Sequence, residues 1–354
     1  MRTSIHALVC AASLTTPPCT LAQAPETYAI DPSRGIDERT YLDIDGVAEY
    51  VIIRGEDRHN PVLLFVHGGP GAAASLYAWK YFTRGGWEKN FTVVHWDQPG
   101  AAKTFEKAGK RLDPDLTVDR IVDDGIAVSE TVARRLGKNK IVLVGGSWGT
   151  LVGVKMAKKR PDLFAAYVAA GQIVNKPEDE AVGYRQVLDK ARARSNAAAV
   201  AELEKSGPPP YATNAAFIAQ RKWASAFERM PAIDARKEVE TTPGTVPADL
   251  QLWYQGFLAS DAHFRGTDMK GIAATVDLRA FGPMFAVPVF FIQGTDDDIT
   301  PMSQVASYYE WIEAPSKRLI PLEGAGHNAV ISRAAEFARL LDTHVRPLSI
   351  EPAQ

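Results

Sequence analysis

A strand that runs through a glycine-flanked turn into a helix is the feature that most constrains this chain. Residues 141–144 are apolar and mostly β-branched, which is typical of a buried strand, and residues 151–159 have helical spacing. Between them lies the pattern Gly145-x-Ser147-x-Gly149. A strand that reverses sharply into a helix lifts one side chain clear of the sheet, and the turn closes only where its neighbours lack Cβ atoms. The pattern therefore predicts an exposed nucleophilic serine at position 147.

Composition places the chain among ordinary globular proteins and does not favour nucleic acid or a membrane as a partner. The 354 residues are 46% apolar and 23% charged, which suits one large α/β domain with an insertion. The formal charge of −2 provides no electrostatic reason for binding nucleic acid or an anionic membrane. After the first two dozen residues, no apolar run is long enough to span a bilayer. We expect a small molecule or a short peptide as the partner; the composition does not indicate an oligomeric state.

The first 24 residues have the pattern of a secretory signal peptide. A basic start is followed by the mostly apolar residues 5–14 and by the small residues of 22–24. We expect export to the periplasm or the medium, with a disordered leader as the alternative. Cys10 and Cys19 are the two cysteines, and both lie in this segment. The mature chain would therefore have no disulfide and no cysteine nucleophile.

Strand and helix signals alternate along most of the chain. Helices are expected over 118–136, with Thr117 as the N-cap, and over 303–312 and 329–344. Besides 141–144, alternating or continuous apolar runs predict strands over 40–44, 49–54, 62–66, 91–96, 165–170, 288–292 and 317–322. This order predicts an α/β fold in which a mostly parallel sheet has helices on both faces.

Residues 172–285 have a different character and predict an inserted α-helical cap. Helical segments over 178–195, 197–205 and 214–230 are interrupted by prolines, and no buried strand is evident. We expect most of the aromatic residues here to form the core of the cap and a few to line a pocket: Trp223, Phe227, Trp253, Tyr254, Phe257 and Phe264. The chain would then divide into 25–171 and 286–354 as the core and 172–285 as the cap.

A base and an acid follow Ser147 at the ends of later strands. A serine hydroxyl becomes a good nucleophile when a neutral imidazole takes its proton and a carboxylate orients that imidazole. His327 follows a Gly-x-Gly turn after a strand, and three aspartates occupy positions 296–298. The chain order Ser, Asp, His is the one expected on an α/β-hydrolase sheet. His67 and His95 precede Ser147, so we assign them to packing or turn bonding.

Two backbone N–H groups are expected to stabilise the developing oxyanion. One comes from Trp148, directly after the nucleophile, and the other from the glycine turn after 62–66, at Gly69. A glycine-rich loop could instead hold phosphate, but the patterns typical of such loops are missing from the strand-to-helix junctions. The sequence implies no cofactor and no metal.

These motifs resemble those of α/β-hydrolase-fold serine hydrolases, and most closely the proline iminopeptidase (prolyl aminopeptidase) family. The resemblance covers roughly 40–171 and 286–345 and is weak across the cap. It rests on His67-Gly-Gly-Pro-Gly71, Trp96-Asp-Gln-Pro-Gly100, Gly145-Gly-Ser-Trp-Gly149, Gly294…Asp297…Pro301 and Gly326-His327. The residues alone leave Asp296, Asp297 and Asp298 open as the acid; the family's spacing implies Asp297, with Asp298 as the runner-up.

The departures from that family concern the substrate. Pro99, Ala102 and Thr104 replace the Arg, Gly and Ser that usually follow the fourth strand. The family also uses cap glutamates to hold a free α-amino group, and Glu228 is only a loose candidate for this role. We therefore expect an acyl-enzyme hydrolase resembling a proline iminopeptidase. A carboxylesterase or lactonase is the first alternative, and a ligand-binding protein that keeps these residues is the second.

Overall fold

Eight strands form one twisted sheet in the computed structural model, which describes residues 29–228 and 245–350. The sheet order is β1-β2-β4-β3-β5-β6-β7-β8, and only the pairs β1–β2 and β2–β4 are antiparallel. The strands are β1 Ile36–Ile44, β2 Val47–Gly55, β3 Val62–Val66, β4 Thr92–Trp96, β5 Ile141–Gly146, β6 Phe164–Ala170, β7 Val289–Gly294 and β8 Lys317–Leu322. The predicted fold class is confirmed. The expected leader, residues 1–24, lies outside the described ranges.

The first two strands form the expected hairpin, although each is longer than predicted. Asp45 and Gly46 both have positive φ, 47° and 81°, as a two-residue hairpin turn requires. Ile36 pairs with Gly55 at the open end, so the pairing extends beyond the alternating residues that predicted it.

The helices fall into three groups along the chain. Before the cap lie α1 Ala102–Lys107, α2 Val118–Arg135 and α3 Trp148–Lys159. Between β6 and β7 lie α4 Lys176–Ala193, α5 Ala197–Ser206, α6 Asn214–Phe227, α7 Pro247–Arg265 and α8 Ile272–Thr275, which form the cap. After β7 lie α9 Met302–Trp311, α10 Ala329–Ser332 and α11 Ala334–His344. The division of the chain at 171/172 and 285/286 stays a prediction.

Successive side chains of the central strands point to opposite faces of the sheet, so the apolar core has two layers. In β3, Val62, Leu64 and Val66 pack with α2 and α3 on one face, whereas Leu63 and Phe65 pack with α11 on the other. All five residues are buried, as expected for a parallel strand covered by helices on both faces. A separate apolar cluster joins α4, α5 and α6 and forms the core of the cap.

Helix α7 packs unusually closely on the two loops that follow β3 and β4. Trp253 donates its indole N–H to the carbonyl of Ala73 at 3.0 Å, and Ser260 donates its hydroxyl to the carbonyl of Gly100 at 3.1 Å. A Cβ atom on Gly256 would lie 2.7 Å from that same Gly100 oxygen. The contact therefore depends on small residues on this face of the helix.

Most helices differ from their predicted bounds by a few residues, and two of these differences have a visible cause. Helix α3 begins at Trp148 rather than at 151, because Gly149 and Thr150 form its first turn without contributing to the apolar stripe. The predicted closing helix is two helices that meet at Arg333, whose φ of −121° and ψ of 33° end the first. The Trp87 indole donates to the carbonyl of Ala334 at 2.8 Å, so a tertiary contact accompanies the break. Helix α6 ends at Phe227, and predicted residues 229–230 lie outside the described part.

Candidate active site

Ser147 lies at a strained turn between β5 and α3, as the sequence predicts. Its φ of 50° and ψ of −118° are rare for a residue with a side chain. A Cβ atom on Gly145 would lie 2.6 Å from the Gly149 carbonyl oxygen, and one on Gly149 would lie 2.0 Å from the Val66 oxygen. The turn can therefore form only with glycine at both positions. The Ser147 N–H donates to the Ala170 carbonyl at 2.9 Å and ties the turn to β6.

The structure brings Ser147, His327 and Asp297 into one hydrogen-bonded chain. His327 Nε2 lies 2.9 Å from Ser147 Oγ, and His327 Nδ1 lies 3.0 and 3.1 Å from the two carboxylate oxygens of Asp297. With the proton on Nδ1, the ring donates to Asp297 and its Nε2 accepts the serine hydroxyl. This arrangement can remove the hydroxyl proton during attack on a carbonyl carbon.

The three adjacent aspartates have different surroundings. Only Asp297 contacts the His327 ring, as the resemblance implies. Asp298 instead binds Lys190, a residue of the cap helix α4. The Lys190 ammonium lies 2.6 and 2.7 Å from the two carboxylate oxygens of Asp298. Asp296 forms hydrogen bonds through its backbone. Its N–H donates to the Ala325 carbonyl, and its own carbonyl accepts from the Lys190 ammonium.

Asp297 is buried and yet held in the ionised state. Burial acts to raise its pKa, but the adjacent His327 ring and the hydrogen bonds from Thr300 outweigh it, so the pKa lies below its usual value. The backbone N–H groups of Ile299 and Thr300 both donate to Oδ1 at 2.8 Å. The Gln293 side chain donates to Oδ2 at 2.8 Å. Gln293, the next-to-last residue of β7, is a supporting residue that sequence reasoning missed.

The two expected oxyanion donors lie next to Ser147 on the wall of one cleft. Trp148 is the first residue of α3, so its N–H has no acceptor within the helix. Gly69 has φ of +118°, and a Cβ atom there would lie 2.6 Å from the N atoms of Gly71 and Ala72. Within residues 29–228 and 245–350, the Gly69 N–H has no hydrogen-bond acceptor. Both residues therefore line the cleft beside Ser147, and within the described residues neither N–H has a backbone acceptor.

Gln98 connects the two segments that carry these donors, a role that sequence reasoning missed. Its side-chain amide donates to the His67 carbonyl at 3.0 Å, and its side-chain oxygen accepts from the Trp148 indole at 3.3 Å. The Gln98 N–H also donates to His67 Nε2 at 3.3 Å. The motif Trp96-Asp-Gln-Pro-Gly100 is the signal that marks this residue.

The other two strand-end histidines are structural, as predicted. His67 bonds the Gly68 carbonyl through Nδ1 at 2.8 Å, and burial lowers its pKa to about 4. His95 packs against Phe82 and Phe65, with ring centroids 4.7 and 6.0 Å away, and burial lowers its pKa to about 3. Both rings are therefore neutral at pH 7 and lie apart from the chain of Ser147.

The cleft above Ser147 has a volume of about 450 Å³ and is walled by both the core and the cap. The cap side is lined mainly by residues of α6 and α7, among them Phe217, Ile218, Phe257 and Leu258. Of the aromatic residues that the sequence indicates in the cap, Phe257 lines the cleft, whereas Trp223 and Phe227 pack in the cap core. A ligand of small-molecule or short-peptide size fits this space.

Glu228, the loose candidate for binding a substrate amine, does not line the cleft. Its carboxylate accepts the backbone N–H of His327, and a Cβ atom on Gly326 would overlap it. Burial raises the pKa of Glu228. The residue therefore supports the loop that carries His327.

Sequence comparison decides the family to which this site belongs. A model of the α/β hydrolase fold matches residues 61–334. The chain belongs to the α/β-hydrolase fold family. Together with relatives named as hydrolases, this membership makes the protein a hydrolase enzyme.

The relatives confirm the resemblance to aminopeptidases and proline iminopeptidases. The chain is 29% identical over 321 residues to “Probable aminopeptidase YbaC” of Bacillus subtilis, covering 86% of this chain and 95% of that protein. It is 30% identical over 138 residues to the proline iminopeptidase of Neisseria gonorrhoeae, covering 38% of this chain and 41% of that protein. The crystal structure of a proline iminopeptidase from Mycobacterium smegmatis has a TM-score of 0.60 at 18% identity, covering 88% and 99% of the two chains. That last likeness concerns the fold alone.

The described residues, 29–228 and 245–350, show neither a metal cluster nor a membrane-spanning helix. They contain no group of three or more His, Cys, Asp or Glu side chains that could hold a metal ion. In those same ranges, no helix has both the length and the apolar character needed to cross a bilayer.

Proposed function

We propose that this hydrolase cleaves an amide or ester bond through an acyl-enzyme on Ser147, with His327 as the general base and Asp297 as the acid that orients it. The observation that carries the proposal is the continuous hydrogen-bonded chain from Asp297 through His327 to Ser147 Oγ. Ser147 and His327 line the cleft, while Asp297 is buried behind them.

The reaction follows from the positions of the protons. Ser147 Oγ attacks the carbonyl carbon while its proton passes to His327 Nε2, and the resulting imidazolium is stabilised by Asp297. The tetrahedral intermediate collapses when His327 returns that proton to the departing amine or alcohol, which leaves an ester on Ser147. Water then attacks this ester, gives a proton to His327, and releases the acid as the proton returns to Ser147 Oγ. The N–H groups of Gly69 and Trp148 stabilise the oxyanion in both halves of the reaction.

A fluorophosphonate probe tests the nucleophile directly, because it phosphonylates an activated serine. We expect stoichiometric labelling of the folded protein at Ser147 and none in Ser147→Ala. Ser129 is buried and donates to the Gly125 carbonyl, so Ser129→Ala is a matched control that should still label. Labelling that survives in Ser147→Ala, or is absent from the folded wild type, would refute the assignment.

Within this reaction, the leading substrate class is an amide whose acyl part is an N-terminal amino acid, as in an iminopeptidase. The support is that YbaC, which is named an aminopeptidase, is similar over 86% of this chain. Prolyl-4-nitroanilide and its N-acetylated form provide the test. A preference for the free amine of about tenfold or more is expected if the cap binds an ammonium group. Equal rates would exclude amine recognition.

Hydrolysis of carboxylic esters or lactones is the alternative, and the position of Glu228 favours it. That carboxylate is bonded to the His327 backbone instead of lining the cleft. Asp261, the one carboxylate among the described residues of the cleft wall, accepts two hydrogen bonds from Arg265. Short acyl esters of 4-nitrophenol, assayed beside the anilides, distinguish the two classes. Turnover of the esters but of neither anilide would establish the alternative.

A further inference from the structure

The cap side of the cleft carries charged side chains that the proposed reaction does not use. These are Lys176 on α4, Arg221 on α6, and Asp261 and Arg265 on α7. Charged groups are costly to bury unless they are paired, and these four are held in ion pairs while still lining the cleft. The cluster therefore bears on which substrates the cleft accepts.

Arg221 and Arg265 are both held against one aromatic ring. Their guanidinium carbons lie 4.4 and 4.0 Å from the centroid of the Phe217 ring. Phe217 is itself buried and packs in the core of the cap. The ring therefore restrains both guanidinium groups, so their positions on the cleft wall are set before a ligand arrives.

Both guanidinium groups keep donors that the protein does not use. Arg265 donates through Nε and Nη2 to Asp261 Oδ1, at 2.9 and 2.7 Å, while its Nη1 has no acceptor among the described residues. Arg221 donates through its two terminal nitrogens to Glu180 and Gln220, and in residues 29–228 and 245–350 its Nε has no acceptor. The Arg265 side chain is only 9% exposed and that of Arg221 only 20%, so water is a poor acceptor for these unused donors.

The unused donors on this wall favour an anion over a cation. Lys176 and Arg221 share the carboxylate of Glu180, and Arg265 has Asp261. The buried Asp179 also interacts with Lys176. Among the described residues of the wall, a substrate ammonium would find only Asp261, which is already bound to Arg265. A substrate carboxylate would instead meet the unused guanidinium donors of Arg221 and Arg265.

We propose that the substrate carries a carboxylate group, which Arg221 and Arg265 bind while the scissile carbonyl lies at Ser147. This inference rests on the proposed acyl transfer to Ser147. The carboxylate belongs either to the leaving group, as in the free C-terminus of a dipeptide, or to the acyl part. Both sources share the same recognition, because planar guanidinium groups match planar carboxylates.

Matched substrate pairs test the proposal and separate the two sources. For the leaving group, 4-(butanoyloxy)benzoate is compared with 4-(butanoyloxy)benzamide, and the dipeptide Pro-Ala with Pro-Ala amide. For the acyl part, the 4-nitrophenyl monoester of terephthalic acid is compared with 4-nitrophenyl 4-carbamoylbenzoate. In at least one pair we expect kcat/KM to favour the carboxylate by about 10- to 100-fold. A ratio near one in every pair overturns the inference.

Variants show whether the arginines cause the preference. In Arg221→Gln and Arg265→Gln, the ratio of kcat/KM between paired substrates should fall toward one. Arg192→Gln is the control, since Arg192 lies on α4 outside the cleft wall and pairs with Glu204. Asp261→Asn should raise the ratio because it frees the donors of Arg265, whereas an amine-binding role for Asp261 predicts loss of free-amine turnover instead.

Fluorophosphonate labelling keeps this inference separate from the proposed function. Unlabelled Ser147 in folded protein refutes the acyl-enzyme, and labelled protein with ratios near one refutes only the carboxylate site. If Ser147 labels but no pair is turned over, 4-hydroxybenzoate and 4-hydroxybenzamide are compared as protectants against labelling. Stronger protection by the carboxylate, lost in Arg221→Gln, supports the site, and equal protection overturns it.

Discussion

Gln98 offers the sharpest test of how this site is built. The substitution Gln98→Met keeps the length of a buried side chain but removes its hydrogen bonds to the His67 carbonyl and the Trp148 indole. Each buried partner left unsatisfied costs about 1–3 kcal/mol of stability. Loss of a single oxyanion donor costs about 10²–10³ in kcat. Because Gln98→Met loosens both donors without deleting either, we expect a fall of roughly 10- to 100-fold.

The assay must separate positioning from general destabilisation. The kcat, the KM and the second-order rate of fluorophosphonate labelling are measured together with the urea midpoint. Gln172→Met is the matched control, because Gln172 is also buried and its side chain bonds Tyr167 and Ile173. We expect both variants to lose stability and only Gln98→Met to lose kcat. An unchanged kcat in folded Gln98→Met, or an equal loss in Gln172→Met, would refute the reasoning.

Three further predictions follow from described contacts. Asp297→Asn should lower kcat by about 10³–10⁴-fold with Ser147 still present, measured in the same ester assay, because an amide no longer fixes the His327 tautomer. Burial raises the pKa of Glu49 above its ordinary value of 4.5. The protonated carboxyl therefore stabilises the fold at low pH, and this stabilisation is lost as the pH rises above 4.5. Glu49→Gln should therefore raise the Tm at pH 8 more than at pH 5, and the opposite trend would contradict this. Gly149→Ala should cost about 3 kcal/mol or more in urea denaturation, against about 1 for Gly46→Ala, where a Cβ atom meets open space.

Strand bounds, a helix cap and the glycine-rich turns are features of this fold that the sequence predicts. Strands β3 and β8 match their predicted bounds, and the Thr117 side chain caps α2 by accepting the Arg120 N–H at 3.1 Å. Period, capping and turn chemistry act over a few residues, so a single sequence contains them. Ser147 and His327 were identifiable for the same reason, since each follows a strand in a glycine-rich turn.

The remaining features depend on contacts that are distant in sequence. The residue types at 296–298 leave the acid open, and Asp297 is implied only by the family's spacing from Gly294 to Pro301. The binding of Asp298 by Lys190, more than a hundred residues earlier, has no local signal. The two arginines around Phe217 come from α6 and α7, and no local pattern brings them together. The family resemblance helped where it covered the chain and was weakest in the cap, where these contacts lie.

The close seating of α7 has a consequence for how such enzymes diverge. Trp253 and Ser260 join this helix to the loops that carry Gly69 and Gly100, so the cap and the oxyanion loop share one rigid contact. A graft that exchanged the whole cap with that of a relative would also exchange part of the support of the reacting centre. Grafts limited to α4–α6 would spare that contact but would exchange Lys190, which binds Asp298 next to Asp297. Each half of the cap therefore supports a different part of the reacting centre, and a graft has to keep both sets of contacts.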